Sequence, residues 1–387
     1  MKLYTKIAGT LALPLALAVA ANSAQAYTVV DTSEHKLSVG GYVSAIFSVA
    51  KTGDKKSAVN DKFNSDFDAG NSRINVSYTN KEIGTTFFWE QRLQNSTLRH
   101  AYFATEDGII GGQTWSFGTN LVALAETIDT TGNGLVSYQV DGPRPLLLGK
   151  KFKLDDSMSF GLSIESQNNS KEDAAQKSVA PAVTANFEGN FNGIKVFTAV
   201  TNYAQNKKAV NSGATGGTKS SGKDKRFTRF TVGTAIPMGD ATVKLGLTHN
   251  AGVTNKKLDT TGKVYRADAA KGTHVSAALT YRINEKVRTN LAVEASKWDK
   301  NAIAQQEPGK AVKDKAGTAQ RVWLNAFYQA DNGIEWGAEL QHAKVKAQRA
   351  DGSVLGTVGG VYSSGQTHEG GLANKGTAFR VQAKYAF

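Results

Sequence analysis

Apolar and polar residues alternate with a period of two along almost the whole chain, and this feature limits the fold more than any other. In the last stretch, 379–387, the odd-numbered positions are apolar, and positions 380, 382 and 384 are polar. A period of two is typical of an extended strand with one apolar face and one polar face. Sixteen such stretches can be counted between Lys36 and Phe387. The sequence therefore predicts an all-β protein with sixteen amphipathic strands.

The connections between these predicted strands alternate between short and long. Short connections such as 155–156 and 284–285 consist of residues that favour tight turns. Most of the others, including 50–70 and 117–143, are long, and only 94–96 interrupts the long series. We therefore expect all the tight turns at one end of the sheet and the long loops at the other.

The first 26 residues have a different pattern. Lys2 and Lys6 precede an apolar run of 14 residues at 7–20, which is followed by Ala24-Gln25-Ala26. This arrangement is typical of a secretory signal peptide that is cleaved after Ala26. The run is shorter than the roughly 20 apolar residues that a membrane-spanning helix needs. We expect 1–26 to be a cleaved signal peptide and 27–387 to be the mature barrel domain.

Composition excludes several classes of function. The chain has no cysteine, so a disulfide framework and thiol chemistry are excluded. It has 39 Gly, 17 Phe and 12 Tyr but only 6 Pro, which suits many strands and turns. The formal net charge is +13. For an exported β protein, nucleic acid is a poor partner, whereas anionic solutes and lipopolysaccharide phosphates are better ones.

Two all-β architectures compete for sixteen amphipathic strands. A soluble β-sandwich or jelly roll would need several domains, because its apolar faces pack on each other, and no linker divides the chain. A transmembrane barrel needs an even number of tilted strands, short periplasmic turns and long external loops. Because lipid leaves no edge strand unpaired, the last strand must then close on the first. The predicted fold is a 16-stranded antiparallel transmembrane β-barrel in a Gram-negative outer membrane.

The end of the chain fits this fold. The polar side of 379–387 would face a wet lumen and the apolar side would face lipid. Tyr385 and Phe387 would then lie in the aromatic girdle at the periplasmic edge of the membrane.

One block, LRHAYFATEDGIIGGQTWSFG at 98–118, supports a narrower resemblance. It is similar to the hairpin of strands 4 and 5 in the DcaP-like porins, a dicarboxylate-uptake subgroup of the sixteen-stranded trimeric porins. The matching residues are Leu98, Arg99, His100, Ala101, Tyr102, Gly112, Gln113, Thr114 and Trp115. The resemblance implies a homotrimer, a third loop at 117–143 that folds inward as a constriction, and a terminal Phe387 that serves as an assembly signal.

In a porin, charges at the constriction set the selectivity. The predicted third loop carries Glu126, Asp129 and Asp141 and ends beside Arg144. An acidic loop opposite a basic wall would orient anionic solutes. The other predicted pore-lining residues are Arg73, Glu90, Arg92, Arg99 and Lys151. The alternative is that these charges pair with one another, as Glu90 could with Arg92.

The sequence-based hypothesis is a passive channel for small hydrophilic solutes that leans to anions such as dicarboxylates. Two alternatives remain open: a surface adhesion or lipopolysaccharide-binding barrel and, with less support, an outer-membrane hydrolase. The six histidines show no paired metal-ligand spacing. The stretch 217–223 imitates a phosphate-binding loop, but Asp224 stands where Ser or Thr should bind magnesium. We therefore expect no enzyme activity, no cofactor and no metal.

Overall fold

In the computed structural model, nearly all of the described residues lie in strands or in the turns that join them. The structure describes residues 26–52, 63–70, 72–94, 96–128, 144–166, 181–205, 225–251, 272–298, 317–346 and 375–387. The strands are β1 (Tyr27–Asp31), β2 (His35–Thr52), β3 (Phe63–Asp68), β4 (Arg73–Asn80), β5 (Thr85–Arg92), β6 (Leu98–Thr105), β7 (Ile109–Gln113), β8 (Leu146–Lys153), β9 (Met158–Glu165), β10 (Ala182–Phe191), β11 (Ile194–Gln205), β12 (Lys225–Met238), β13 (Ala241–Asn250), β14 (Gly272–Arg282), β15 (Val287–Trp298), β16 (Gly317–Gln329), β17 (Ile334–Lys346) and β18 (Lys375–Ala386). No helix able to span a membrane is found in these residues.

The strands form one closed antiparallel barrel. Each strand from β4 to β18 pairs with the next, and β18 pairs with β2. β3 and β4 both pair with β2 and together make one barrel strand, interrupted at 69–72. With β1 set aside, sixteen strand positions remain. The predicted 16-stranded antiparallel barrel is confirmed, including the closure of the last strand on the first.

Two local predictions at the beginning of the barrel are wrong. The sequence placed the first strand at Lys36, but the short β1 precedes it and pairs with 36–39 of β2. The stretch 50–70 was expected to be a loop, yet β2 continues to Thr52 and β3 is extended. β1 has only five residues and contains Val29 and Val30 in succession, so it offers no clear alternation. β3 was missed because its polar composition resembles that of a loop.

Gly41 lies where the first and last strands of the barrel, β2 and β18, meet. Its N–H donates to the Phe387 carbonyl at 2.9 Å, and the Phe387 N–H donates to the Gly41 carbonyl at 3.1 Å. The Gly41 φ is +150°, and a Cβ there would lie 2.3 Å from the Arg73 carbonyl oxygen. Only glycine fits such a close backbone approach. The last residue therefore completes the ladder that seals the barrel.

The outer face of the barrel is apolar. Large side chains alternate along the strands and point outward, and Leu148 and Leu324 are each 53% exposed. The other members of this face include Phe47, Phe87, Phe103, Phe160, Leu162, Ile164, Val232, Leu247, Leu279, Leu291, Leu340 and Phe379. Their strand neighbours point inward and are largely polar and buried. An apolar exterior around a polar interior is the pattern of a barrel whose solvent is lipid.

Candidate functional site

Residues 117–128, the inner segment, lie inside the barrel. The segment begins at Phe117, which is 1% exposed and packs against Ala104, Ile110 and Leu147. The Phe117 N–H donates to Glu165 Oε1 on β9 at 3.0 Å. The inner segment is therefore fixed to the barrel wall where it begins.

The middle of the inner segment is held by polar contacts to β12 and β13. The Asn120 side chain is fully buried, and its Nδ2 donates to the Val232 carbonyl at 3.1 Å. A Cβ on Gly233 would lie 2.2 Å from that amide, so glycine makes room for it. Lys244 Nζ donates to the Leu124 carbonyl at 2.9 Å. These contacts keep the segment along the wall.

Near its described end, the inner segment is held by an ion pair. Arg288 Nε lies 2.9 and 3.0 Å from the two carboxylate oxygens of Glu126, and Arg288 Nη2 also donates to Glu126 Oε1. The same Nη2 is 2.7 Å from Glu335 Oε2. Asn325 Nδ2 donates to the Glu126 carbonyl at 2.8 Å. One arginine of β15 is thus placed between two carboxylates.

A second anchor follows at Ile128. Its N–H donates to Glu339 Oε2 at 2.8 Å, and Arg380 Nη1 donates to Glu339 Oε1 at 2.9 Å. The Ile128 side chain is 1% exposed and packs against Ile46 and Phe327. The inner segment therefore follows the inside of the barrel from β9 to β17. The loop-anchoring wall is the set of Glu126, Arg288, Glu335, Glu339 and Arg380.

A different cluster lies on β4, β5 and β6. The Glu90 carboxylate is 1% exposed, Arg99 Nε donates to its Oε1 at 2.7 Å, and Arg73 Nε lies 3.3 Å from its Oε2. Arg92 is directly opposite Arg73 in the β4–β5 register. These four residues form the arginine wall. The ion pairs of Glu90 are with Arg73 and Arg99, on the two neighbouring strands, and the pairing with Arg92 that the sequence suggested is not seen.

A β-bulge explains why Arg99 enters this cluster. Glu90 is opposite His100 and Gln91 is opposite Leu98, so β6 contains one extra residue at this point. In a regular strand, consecutive side chains point to opposite faces, but a bulge breaks that alternation. Arg99 and His100 are both buried as a result. The irregular alternation of this strand in the sequence was therefore a real structural signal.

Arg144 lies next to the arginine wall. Its guanidinium carbon is 3.7 Å from the centre of the Trp115 ring, and its Nε donates to His100 Nε2 at 3.2 Å. His100 Nδ1 is 3.0 Å from Thr114 Oγ1, which fixes the imidazole. Arg144 is thus held between an aromatic face and a histidine. Sequence reasoning selected Arg144 but assigned no role to His100 or Trp115.

The remaining predicted site residues are not part of the arginine wall. Lys151 points inward, but its Nζ pairs with Glu188 Oε1 at 2.8 Å, nearer the tight-turn end. Asp129 and Asp141 lie outside the described residues. Tyr385 is 50% exposed on the outer face, and its ring covers Gly333 in a tight turn.

The two walls differ in charge. Glu90 is the acid between two arginines, whereas the loop-anchoring wall contains three carboxylates and two arginines. The inward direction of Arg288, Glu335, Glu339 and Arg380 followed from strand alternation. Their contacts with the inner segment could not be read from the sequence. Within the described ranges, no group of His, Asp or Glu is arranged to hold a metal ion. The arrangement can bind and orient charged solutes.

Comparison with solved structures identifies proteins that share this fold. No family model and no curated protein matches this chain. Among solved structures, the outer membrane channel DcaP of Acinetobacter baumannii is 16% identical, with a TM-score of 0.63 over 92% of this chain and 99% of that chain. OmpT of Vibrio cholerae is 15% identical, with a TM-score of 0.60 over 92% and 99%. The anion-selective porin of Comamonas acidovorans is 12% identical, with a TM-score of 0.57 over 92% and 100%. The chain therefore has the barrel fold of the outer-membrane porins, and the resemblance to the DcaP channel is confirmed at the level of the fold.

Proposed function

We propose that this chain forms a water-filled channel in a Gram-negative outer membrane, through which small hydrophilic solutes diffuse, with a preference for anions such as dicarboxylates. The observation that carries the proposal is the arginine wall inside a closed barrel, whose lumen also contains the inner segment held by an ion pair at Glu126. In such a lumen the electrostatic potential is most positive near β4–β6. A solute that carries carboxylates would be drawn to that side.

Physical chemistry supports the preference for anions. Arg73 and Arg99 share one carboxylate, so this group of three charges keeps a net positive charge. A guanidinium can hold a carboxylate through two parallel hydrogen bonds. Inside a narrow lumen the effective dielectric constant is lower than in bulk water, so these charges act more strongly than on an open surface.

Export and assembly are part of the proposal. Residues 1–26 would be removed as a signal peptide, since they have the pattern of one. A homotrimer is supported by the similar barrel of the Vibrio cholerae OmpT, which is described in a trimer form. The apolar outer face would contact lipid, and lipopolysaccharide phosphates would meet basic residues of the long loops. The transport is passive and involves no catalysis, in keeping with the channels and porins that share the fold.

A triple variant tests the proposal. Arg73, Arg92 and Arg99 are each replaced with Gln, and uptake of succinate into proteoliposomes is compared with uptake of a small neutral sugar. Succinate entry should slow by at least about tenfold, because the loss of even one charge-assisted contact with the solute costs on the order of 1.5 kcal/mol. Sugar entry should be nearly unchanged.

Lys150→Gln serves as the control, because Lys150 pairs with Asp107 at the exposed rim and lies outside both walls. This variant should behave like the unmodified channel toward both solutes. Unchanged succinate entry in the triple variant would show that the arginine wall does not cause the preference for anions. Vesicles that admit neither solute with the unmodified protein would contradict the channel itself.

A further inference from the structure

The outer face of the barrel has a His–Thr–Lys triplet on three neighbouring strands. His249 of β13 is directly opposite Thr273 of β14, and Thr273 is directly opposite Lys297 of β15. All three share the outward face with Leu247 and Val275, and Lys297 is exposed. His249 Nδ1 is 2.9 Å from Thr273 Oγ1. A hydrogen-bonded histidine and threonine therefore lie beside a lysine on the outside of the barrel.

The same arrangement occurs a second time, on β17, β18 and β2. His342 is directly opposite Thr377, and Thr377 is directly opposite Lys51. His342 Nδ1 is 2.9 Å from Thr377 Oγ1. Lys344, which follows on the same face of β17, is also exposed. The two triplets have the same residue types in the same strand order, with the same hydrogen bond, and this repetition indicates a shared role.

Both triplets lie at the border of the apolar outer face, on the side of the long connections. The next outward positions toward the tight turns are exposed and apolar, with Leu247 opposite Val275 and Leu340 opposite Phe379. On the other side, β13 and β17 end and their long connections begin. In transmembrane barrels the long connections face the external solution. In the proposed membrane orientation, the triplets are therefore at the level of the outer-leaflet headgroups.

Each triplet supplies hydrogen-bond donors and positive charge. A lysine ammonium has three N–H donors. When the threonine hydroxyl donates to the histidine Nδ1, the ring proton is on Nε2, so the imidazole is a donor even when it is neutral. Residues directly opposite each other have Cβ atoms about 5 Å apart, so a group that lies over the threonine is within reach of the histidine and the lysine. A phosphate, with its strong acceptor oxygens, matches these donors.

An apolar side chain lies on the other side of each histidine. Phe230 of β12 is directly opposite His249, and Val322 of β16 is directly opposite His342. Phe230 and Val322 are exposed on the outer face. A ligand that combines a phosphate with an apolar chain would use the donors and these side chains together, whereas a free phosphate ion would use only the donors.

We propose that the two triplets bind phosphate groups of outer-leaflet lipids, such as lipid A, with the lipid chains against the apolar outer face. The lysine and the histidine donate to the phosphate oxygens, and the threonine holds the imidazole in place. This inference rests on the proposed outer-membrane location. It goes beyond contacts with the long loops, because it places the lipid phosphates at two defined positions on the barrel wall.

Native mass spectrometry of the folded barrel in detergent micelles, titrated with lipid A, tests the sites. When Lys51 and Lys297 are both replaced with Gln, the dissociation constant should rise about tenfold, because each site loses a charge-assisted contact with phosphate. His249→Phe together with His342→Phe keeps an aromatic ring but removes the donor, and it should also weaken binding. This second variant keeps the test valid if the first one does not fold. Dephosphorylated lipid A should bind the unmodified protein more weakly than lipid A does.

Lys150→Gln is the matched control, since it removes the same charge from an outward position near the tight turns, where Lys150 pairs with Asp107. It should leave the affinity for lipid A unchanged. An equal loss in Lys150→Gln and in the variant of Lys51 and Lys297 would overturn the sites. Equal binding of lipid A and its dephosphorylated form would also overturn them.

Two other occupants of the triplets would be recognised in the same experiment. Displacement of lipid A by an equal concentration of inorganic phosphate would indicate a site for the free ion and would overturn the lipid assignment. A change of oligomeric state in the triplet variants would indicate a contact between copies of the chain and would overturn it as well. Lack of chloride preference in KCl would contradict the proposed channel and not these sites, because the triplets lie outside the lumen.

Discussion

The two charged walls of the lumen use the same residue types in opposite proportions. On β4–β6, the Glu90 carboxylate lies between Arg73 and Arg99. On β15–β17, the Arg288 guanidinium lies between Glu126 and Glu335. The first wall therefore has an excess of positive charge, whereas in the second wall Lys384, which pairs with Glu335, balances the third carboxylate.

The difference suggests a division of roles, in which one group of charges holds the inner segment and another group acts on the solute. The loop-anchoring wall uses its carboxylates as acceptors for the inner segment, as Glu339 does for the Ile128 N–H. On the arginine wall, the Glu90 carboxylate instead pairs with Arg73 and Arg99 of the neighbouring strands. We infer that the first wall positions the inner segment and that the second acts on the solute.

Changing the last residue of the barrel should have the largest effect, because both walls depend on closure. Phe387→Ser removes an aromatic side chain at the membrane edge, where burial of such a group contributes about 2 kcal/mol. We expect most of the variant to be missing from the outer-membrane fraction. Phe191→Ser is a matched control, because Phe191 is 44% exposed at the end of β10. Equal outer-membrane levels of the two variants would contradict a special role for the last residue.

Glu339→Gln should weaken the loop-anchoring wall. Glu339 accepts hydrogen bonds from the Ile128 N–H, Asn325 Nδ2 and Arg380 Nη1. An amide replaces one acceptor with a donor and leaves the buried Arg380 without its carboxylate, which costs about 3 kcal/mol. Urea unfolding in detergent micelles should move to lower urea, and single-channel current should become noisier.

The control for that experiment is Glu82→Gln, at an exposed position in a short turn. It should change neither the unfolding midpoint nor the current noise. A quiet, unchanged current in Glu339→Gln would show that the inner segment does not depend on this anchor.

Glu90→Gln should change selectivity, which is the smaller effect expected of the arginine wall. It removes the carboxylate that Arg73 and Arg99 share, so the local positive charge rises by one. The zero-current potential in a KCl gradient should move toward greater anion preference. Glu188→Gln makes the same change beside Lys151, away from the wall, and should shift the potential less. A shift toward cations in Glu90→Gln would contradict the assignment of the two walls.

The smallest effect is expected at the rim, outside both walls. The backbone N–H and hydroxyl of Ser157 and the N–H of Met158 donate to the Asp155 carboxylate, and these bonds lower its pKa from 3.8. A carboxylate with a lowered pKa stabilises the fold above its unfolded pKa, and that contribution is lost as pH falls through the folded pKa. The protection factor of amide hydrogen exchange in this turn, which is corrected for the intrinsic pH dependence, should therefore fall in acid, and Asp155→Asn should remove that fall. A change in ion selectivity in this variant would show that this turn also contributes to the electrostatic potential in the lumen.

Strand alternation was sufficient to predict the barrel. On β9, the outward Phe160, Leu162 and Ile164 and the inward Ser163 and Glu165 follow the period of two. Each strand needs only to expose one face to lipid, so the local sequence carries the information. Prediction failed at β1, where the register shifts, and at β3, whose polar composition resembles that of a loop.

The contacts inside the lumen could not be predicted in the same way. Glu126 and Arg288 are 162 positions apart in the chain, and nothing local in either stretch identifies the partner. The same is true of Glu90, for which the sequence suggested the neighbour Arg92 on its own strand. Alternation gives the direction of a side chain, but the partner depends on how the closed barrel brings distant strands together.

We propose above that the arginine wall makes the lumen attractive to anions. The most direct test is the zero-current potential of single unmodified channels in a planar bilayer across a KCl gradient. We expect a potential with the sign of chloride preference, which decreases as the total salt concentration rises and screens the wall. A potential of zero, or one with the sign of potassium preference, would contradict it.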